Sequence, residues 1–311
     1  MNEPFCSAFL GYELGVHAPG MKDLSLAVKA SHHLLLVHGA AVSVLHSRLP
    51  GSKVGNVLNT SPFYPYTQSV QDRDAARHGD GRLTRWFLDP PYNRQYPLDI
   101  LDDYVKEGGL SSTTPEFIQD GDMEKIAVPT DFLGINYYNR TINDTNNARA
   151  QDPAYRENER TDMGWKIFPF GLYEFLVRIY FTYKPAEIMI TENGARNSDG
   201  PDGEGRVRDA GRIAYLRSHI AAVHRAIEAG VPVTGYYVWS LLDNFEWGQG
   251  FSQRFGLIHV DYQTLKRTPK DSALWYGHVA KTNRMEMVEG FPPGSQECFG
   301  CPEGYLMITG S

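Results

Sequence analysis

Four short apolar runs punctuate the chain: KVGNVLN (53–59), DFLGINYY (131–138), EIMIT (187–191) and VTGYYVWS (233–240). Each is rich in β-branched or aromatic residues with few polar interruptions, the pattern of strands buried on both faces of a parallel sheet. Between the runs, apolar residues recur at helical spacing. Over 207–229, Ile213, Leu216, Ile220, Val223 and Ile227 advance by alternate steps of three and four, giving one apolar face, and Gly230 supplies a stop. Helices are also predicted over 22–48, 171–183 and 269–279. Strand and helix alternate to the end, which predicts an α/β fold with parallel strands.

Polar and aromatic residues gather where the predicted strands finish. Asn136 and Tyr138 follow one, Thr191-Glu192-Asn193-Gly194 another, Trp239 and Ser240 a third. In barrels of alternating strands and helices that edge carries the chemistry. Glu192 closes a buried strand, and Asn-Gly after it lets the backbone turn sharply. Taken alone, such a glutamate more often caps a turn or pairs with an arginine. Glu3 stands in an Asn2-Glu3-Pro4 turn, where by itself it reads as an ordinary exposed glutamate. Two carboxylates at strand ends are nevertheless what cleavage of a glycosidic bond requires. The stretch YYVWSLLDNFEWGQGF (236–251) then concentrates Trp239, Phe245, Glu246 and Trp247. Indole faces stack on sugar rings and a carboxylate can accept from two hydroxyls, although aromatics in such a loop commonly form a buried cluster.

Composition narrows the function classes. With 41% apolar and 22% charged residues, 311 positions are globular material for one large domain or two small ones. The formal net charge is −7 and no Lys/Arg cluster could follow a phosphate backbone or an anionic bilayer, so neither nucleic acid nor membrane is expected as a partner. The apolar run over 34–45 is broken by His38 and Ser43 and is shorter than a bilayer span. Cys6, Cys298 and Cys301 make no disulfide framework, and with no leader pattern at the start a cytoplasmic setting is expected. His32, His33, His38 and His46 share a predicted helix without spacings of three or four, which argues against a zinc site. The acidic stretch NSDGPDGEG (197–205) lacks the spacing and closing glutamate of a calcium loop and is expected to be a plain connection.

Taken together in order, Asn2-Glu3-Pro4, GYELGVHAPG (11–20), DFLGINYY, ITENG (190–194), GYYVWSLLDNFEW (235–247) and RFGLIHVDYQTLKRTPKDSALWY (254–276) resemble glycoside hydrolase family 1, the β-glucosidase family. The likeness covers 1–283; residues 284–311, with the Cys298-Phe-Gly-Cys301 pair, have no counterpart and are expected to be a disordered tail. The resemblance implies a (β/α)8 TIM barrel, here incomplete: about strands 5 to 8 and the end of strand 4. Met1 then stands at what resembles an internal start, with Glu3 on an untethered turn. Glu3 matches the acid/base, Glu192 the nucleophile, and Tyr138 a tyrosine bonded to the nucleophile. Asn2, Asn136, Trp165, Trp239, Glu246 and Trp247 match substrate-binding positions. Retaining hydrolysis of terminal β-D-glucosides follows, with carboxyls about 5–5.5 Å apart and the ionised Glu192 raising the pKa of Glu3. The implied partner is a small β-glycoside or oligosaccharide, with no cofactor and no metal. The chain is also expected to self-associate through the exposed half-barrel, and the alternative is an inactive or merely sugar-binding fragment.

Overall fold

The structure, a computed structural model, describes residues 1–148, 161–196 and 200–285. All four predicted strands form, as β1 (Gly55–Thr60), β3 (Phe132–Tyr137), β5 (Ile188–Asn193) and β6 (Val233–Val238), paired in the order β1-β3-β5-β6 with every pair parallel. Two small ladders accompany them: β2 (Phe63–Pro65) beside β4 (Thr141–Asn143), and β7 (Ile258–Val260) against β8 (Arg267–Pro269). The predicted helices are α1 (Leu24–Arg48), α6 (Pro169–Tyr183), α7 (Ala210–Glu228) and α8 (Asp271–Thr282).

Four further helices lie between β1 and β3: α2 (Val70–Asp80), α3 (Trp86–Asn93), α4 (Leu98–Lys106) and α5 (Asp122–Ile126). The hydrophobic pattern does not announce α2 or α3, whereas α4 buries Ile100, Leu101 and Tyr104 at helical spacing. α2 is almost wholly polar and is started by Ser69, whose hydroxyl accepts from the Asp72 amide at 3.1 Å. α3 contains Pro90 and Pro91 yet buries Trp86, Phe87 and Leu88 completely or nearly so.

Leu58, Leu133, Ile135, Tyr137, Ile188 and Ile190 turn one face of the sheet toward Leu35 of α1, Trp86 and Phe87 of α3 and Leu176 of α6, forming one core. Strand alternation sends Asn59, Gly134 and Asn136 to the opposite face. β6 departs from the expected burial on both faces: Thr234 and Tyr237 are exposed. β6 is an edge strand, with β5 its one partner among the described residues, so no second neighbour shields it.

The apolar run over 34–45 is part of a longer helix. With 25 residues, α1 is long and apolar enough to cross a membrane by length and composition, contrary to the expectation drawn from the run alone. Two of its histidines have protein partners: Nδ1 of the buried His32 lies 2.9 Å from the Tyr96 hydroxyl and Nε2 lies 3.2 Å from Asp122 Oδ2, while His46 meets Asp131 at 2.8 Å. The N-terminal turn is also better held than expected. The Glu3 amide donates to the Val57 carbonyl and the Val57 amide to that of Met1, both at 2.9 Å, which ties the turn to β1. The tail expected from 284 onward, with Cys298 and Cys301, lies outside the described residues from 286, as do positions 197–199 of the acidic stretch.

Candidate active site

Glu192 projects near the carboxyl end of β5, and its neighbours explain how it is held. Asn193 has no solvent exposure; its amide donates to the Tyr137 carbonyl at 2.6 Å and the Tyr215 hydroxyl at 3.1 Å, and its oxygen accepts from Tyr236 at 2.5 Å. One side chain thus ties β5 to β3, α7 and β6. Gly194 must be glycine, because a Cβ there would sit 2.0 Å from the carbonyl oxygen of Trp239. That close approach brings the end of β6 beside Glu192. On its other side the Tyr138 hydroxyl donates to Glu192 Oε2 at 2.7 Å.

Glu3 occupies left-handed backbone, φ 45°, at the start of the chain's first helical turns. Its carboxylate is gripped from two directions. Nδ2 of Asn136 donates to Oε1 at 2.8 Å, and the Cys6 thiol, three residues on, donates to Oε2 at 3.2 Å. Asn136 also donates to Asn2 Oδ1 at 3.2 Å and accepts from Thr191 at 2.6 Å.

Asn2, Glu3, Tyr138, Trp165, Glu192, Trp239, Glu246 and Trp247 all line one cleft of about 1440 Å³. Asn136, expected at a substrate-binding position, does not line it: it is fully buried and bonded to Asn2, Glu3 and Thr191, with a further bond to Glu192. Trp165 packs against Tyr138 with ring centres 5.3 Å apart. Nε1 of Trp239 donates to Glu246 Oε2 at 3.4 Å, and the exposed Trp247 stacks on His17 at 5.5 Å. The cleft therefore joins hydrogen-bonded carboxylates to aromatic faces, the pairing that sugar rings favour.

Burial pushes the Glu192 carboxyl up to about 7; the charges of Glu3 and Glu246 add to this, while the Tyr138 and Asn136 hydrogen bonds oppose it. The group displaced upward is thus Glu192, the residue expected to stay ionised. Glu246 is raised by burial, then by Glu3. Burial and the neighbouring Glu3 raise Cys6, keeping it a thiol that can donate. Among the described residues no group of three or more His, Cys, Asp or Glu is arranged to hold a metal ion.

Sequence reading gave no site role to Cys6, Thr191 or Phe255, although Thr191 was among the polar residues noted at the strand ends. The first two had visible signals, a three-residue step from Glu3 along a helical turn and adjacency to Glu192. Phe255, against both Trp165 and Tyr138, had none.

The sequence profile of Glycosyl hydrolase family 1 matches residues 1–285. Among curated relatives, Beta-glucosidase A of Acetivibrio thermocellus is 40% identical over 287 residues, covering 91% of this chain and 63% of the relative. A 1,4-beta-D-glucan glucohydrolase of Thermotoga neapolitana is 42% identical over 287 residues, with the same two coverages. The solved beta-glucosidase of Thermotoga maritima in complex with glucoimidazole superposes with a TM-score of 0.83 at 40% identity, covering 92% of this chain and 63% of that one. The chain thus spans a little under two thirds of the length of the relatives it matches.

Proposed function

The chain belongs to glycosyl hydrolase family 1, and from that premise we propose that its cleft is the site of a retaining β-glucosidase acting on terminal β-D-glucosides. The observation that carries the reading is the pair of hydrogen-bonded carboxylates, Glu3 and Glu192, lining one cleft together with aromatic faces. Glu192, once ionised, attacks the anomeric carbon; the glycosidic C–O bond breaks and Glu3 gives its proton to the departing oxygen. Glu3 then takes a proton from water, which attacks the same carbon and releases Glu192. Trp239 offers a face to the glycone, Glu246 and Trp247 its outer contacts, and Trp165 the leaving-group side. The sheet is read as an arc of the family's (β/α)8 barrel, strands 5 to 8 with the turn after strand 4.

A second reading is favoured by the open edge at β6, where Tyr237 is exposed. On it the chain recognises a sugar, turns over poorly and self-associates through the uncovered edge. The experiment is mass spectrometry after incubation with a 2-deoxy-2-fluoro-β-glucosyl fluoride. One added glycosyl unit on the Glu192 peptide supports the nucleophile assignment, and labelling elsewhere, Glu3 included, refutes it. No labelling together with quenching of tryptophan fluorescence by glucose favours the second reading.

A further inference from the structure

The segment 240–256 carries Glu246 and Trp247 into the cleft, and a buried set of charges holds its far side. The Asp243 side chain has no exposure and receives four donors. Oδ2 accepts from Arg254 Nη1 at 2.7 Å and from the Val260 amide at 3.3 Å; Oδ1 accepts from the Gly256 amide and from Lys270 Nζ, both at 3.0 Å. Gly256 is pressed so close that a Cβ would lie 2.1 Å from the Asp243 nitrogen. Lys270 is equally enclosed, and its backbone lies where segments cross, donating to the Leu257 carbonyl at 2.9 Å and bridging to Val207. Arg212 extends the set toward the catalytic strand, donating to the carbonyls of Arg254 at 2.8 Å and Ala195 at 3.1 Å. Asp243 is three residues before Glu246, and Ala195 three after Glu192.

We propose that Lys270 is a positioning residue for sugar recognition: through its ion pair with Asp243 it fixes the segment 240–256 so that Glu246 and Trp247 stay in the cleft beside Trp239. The sugar half of this inference rests on the function proposed above. The hold on the segment does not.

A lysine so placed has a reason to titrate. Burial, then Arg212, push Lys270 down to about 8, against the pull of Asp243 and Asp209. The other ionisable groups facing the pair are Arg254, His259, Asp261 and Tyr262, the last raised from its usual value by burial and so neutral across the range tested. His259 is lowered from its usual value by burial, so it stays neutral above pH 7 and does not confuse the readout. A lysine is charged below its pKa. The hold is therefore full near pH 7 and lost as pH rises through about 8, where Asp243 keeps Arg254 and two backbone amides but loses its second cation.

The test is 19F NMR of the 5-fluorotryptophan-labelled chain between pH 7 and 9.5, with Trp239 and Trp247 assigned by Trp→Phe substitution. Both resonances should titrate with a midpoint near pH 8, while that of Trp86, buried in the core, does not. In Lys270→Met they should sit at the high-pH positions throughout. Affinity for phenyl 1-thio-β-D-glucopyranoside, read by tryptophan fluorescence, should weaken about tenfold over the same range in the wild type and be about tenfold weaker and flat in Lys270→Met. Resonances that stay flat in the wild type overturn the proposal even if Lys270→Met does not fold, and wild-type affinity in a folded Lys270→Met overturns it too. Because Glu192 and Glu246 share the cleft with both tryptophans, a wild-type titration that persists in Lys270→Met belongs to those carboxyls and overturns the proposal, whereas one lost in Lys270→Met without thioglucoside binding at any pH upholds the hold on the segment and refutes the sugar site instead.

Discussion

Nδ2 of Asn136 donates to Oε1 of Glu3 at 2.8 Å from a position with no solvent exposure. The same carboxamide accepts from Thr191, one residue before Glu192, at 2.6 Å. A single buried amide therefore orients both carboxylate-bearing segments, and the two cannot move independently while it stays in place.

Asn136→Leu keeps the side chain's size and removes its bonds to Glu3, Asn2 and Thr191 together. Glu3 Oε1 and the Thr191 hydroxyl are then left without this partner, at a cost of about 1–3 kcal/mol. Urea denaturation should show an unfolding free energy lower by that amount, as a lower midpoint with an unchanged slope, and labelling of Glu192 by the fluoro-sugar should slow. A variant with the wild-type midpoint and labelling rate would show that the amide bridges nothing that matters.

The Tyr138 hydroxyl opposes the upward push on Glu192 by donating to its carboxylate at 2.7 Å. Tyr138→Phe removes that donor and leaves burial and the charges of Glu3 and Glu246 unopposed on that side. The Glu192 titration, followed by 13C NMR of labelled glutamate carboxyls, should move upward from about 7 by roughly one unit. No movement, or movement downward, would mean that this hydrogen bond does not favour the ionised form.

Legibility in the sequence followed the hydrophobic signal. The runs at 53–59, 131–138, 187–191 and 233–240 became the four parallel strands with ends shifted by one or two residues, because long buried β-branched runs leave little choice. The polar α2 and the proline-containing α3 were silent, since α2 is placed by its contacts with β2 and β4 and Trp86 of α3 by Ser31 of α1 and Tyr104 of α4, not by local pattern. Eight of the residues picked out by resemblance line the cleft, whereas Asn136, matched to a substrate-binding position as well, is fully buried and bonded to Glu3 and Asn2. Asp243 and Lys270 lie 27 residues apart. Nothing in either neighbourhood marks them as a pair, and only the crossing of segments near Leu257 brings them together.

Glu192 also predicts a pH effect on stability. A carboxyl raised in the folded state from 4.5 to about 7 favours the protonated fold, so its contribution is lost as pH rises from about 4.5 to 7 and stays lost above. Glu192→Gln has no such charge to desolvate and still offers an oxygen to Tyr138. Because the side chain is only partly buried, the gain at pH 8 is discounted to about 1–2 kcal/mol. Thermal denaturation should show the variant above the wild type at pH 8 and the two converging near pH 4.5. A variant less stable than wild type at pH 8 would show that the carboxylate is better accommodated than burial implies.

The chain 1–311 should turn over aryl β-glucosides slowly although both carboxylates are present. Stabilising a transition state requires fixed donors around a site from which water is excluded, and loss of one such donor typically costs about 10²–10³ in rate. Here the sheet is open at β6, with Tyr237, Leu241 and Phe245 all more than half exposed, and Glu192 is displaced toward its protonated, non-nucleophilic form. Displacement of a reacting group by about 1 Å costs roughly a further 10²-fold. The exposed apolar residues at the same edge should also drive association, visible in light scattering as species larger than the 35.0 kDa chain. Turnover is to be measured on the purified chain beside Glu192→Gln as the blank, and beside Beta-glucosidase A of Acetivibrio thermocellus as the reference. Activity within about tenfold of that reference, from a species that scatters as a monomer, would show that the open sheet suffices and that neither the exposed edge nor the raised carboxyl limits the chemistry.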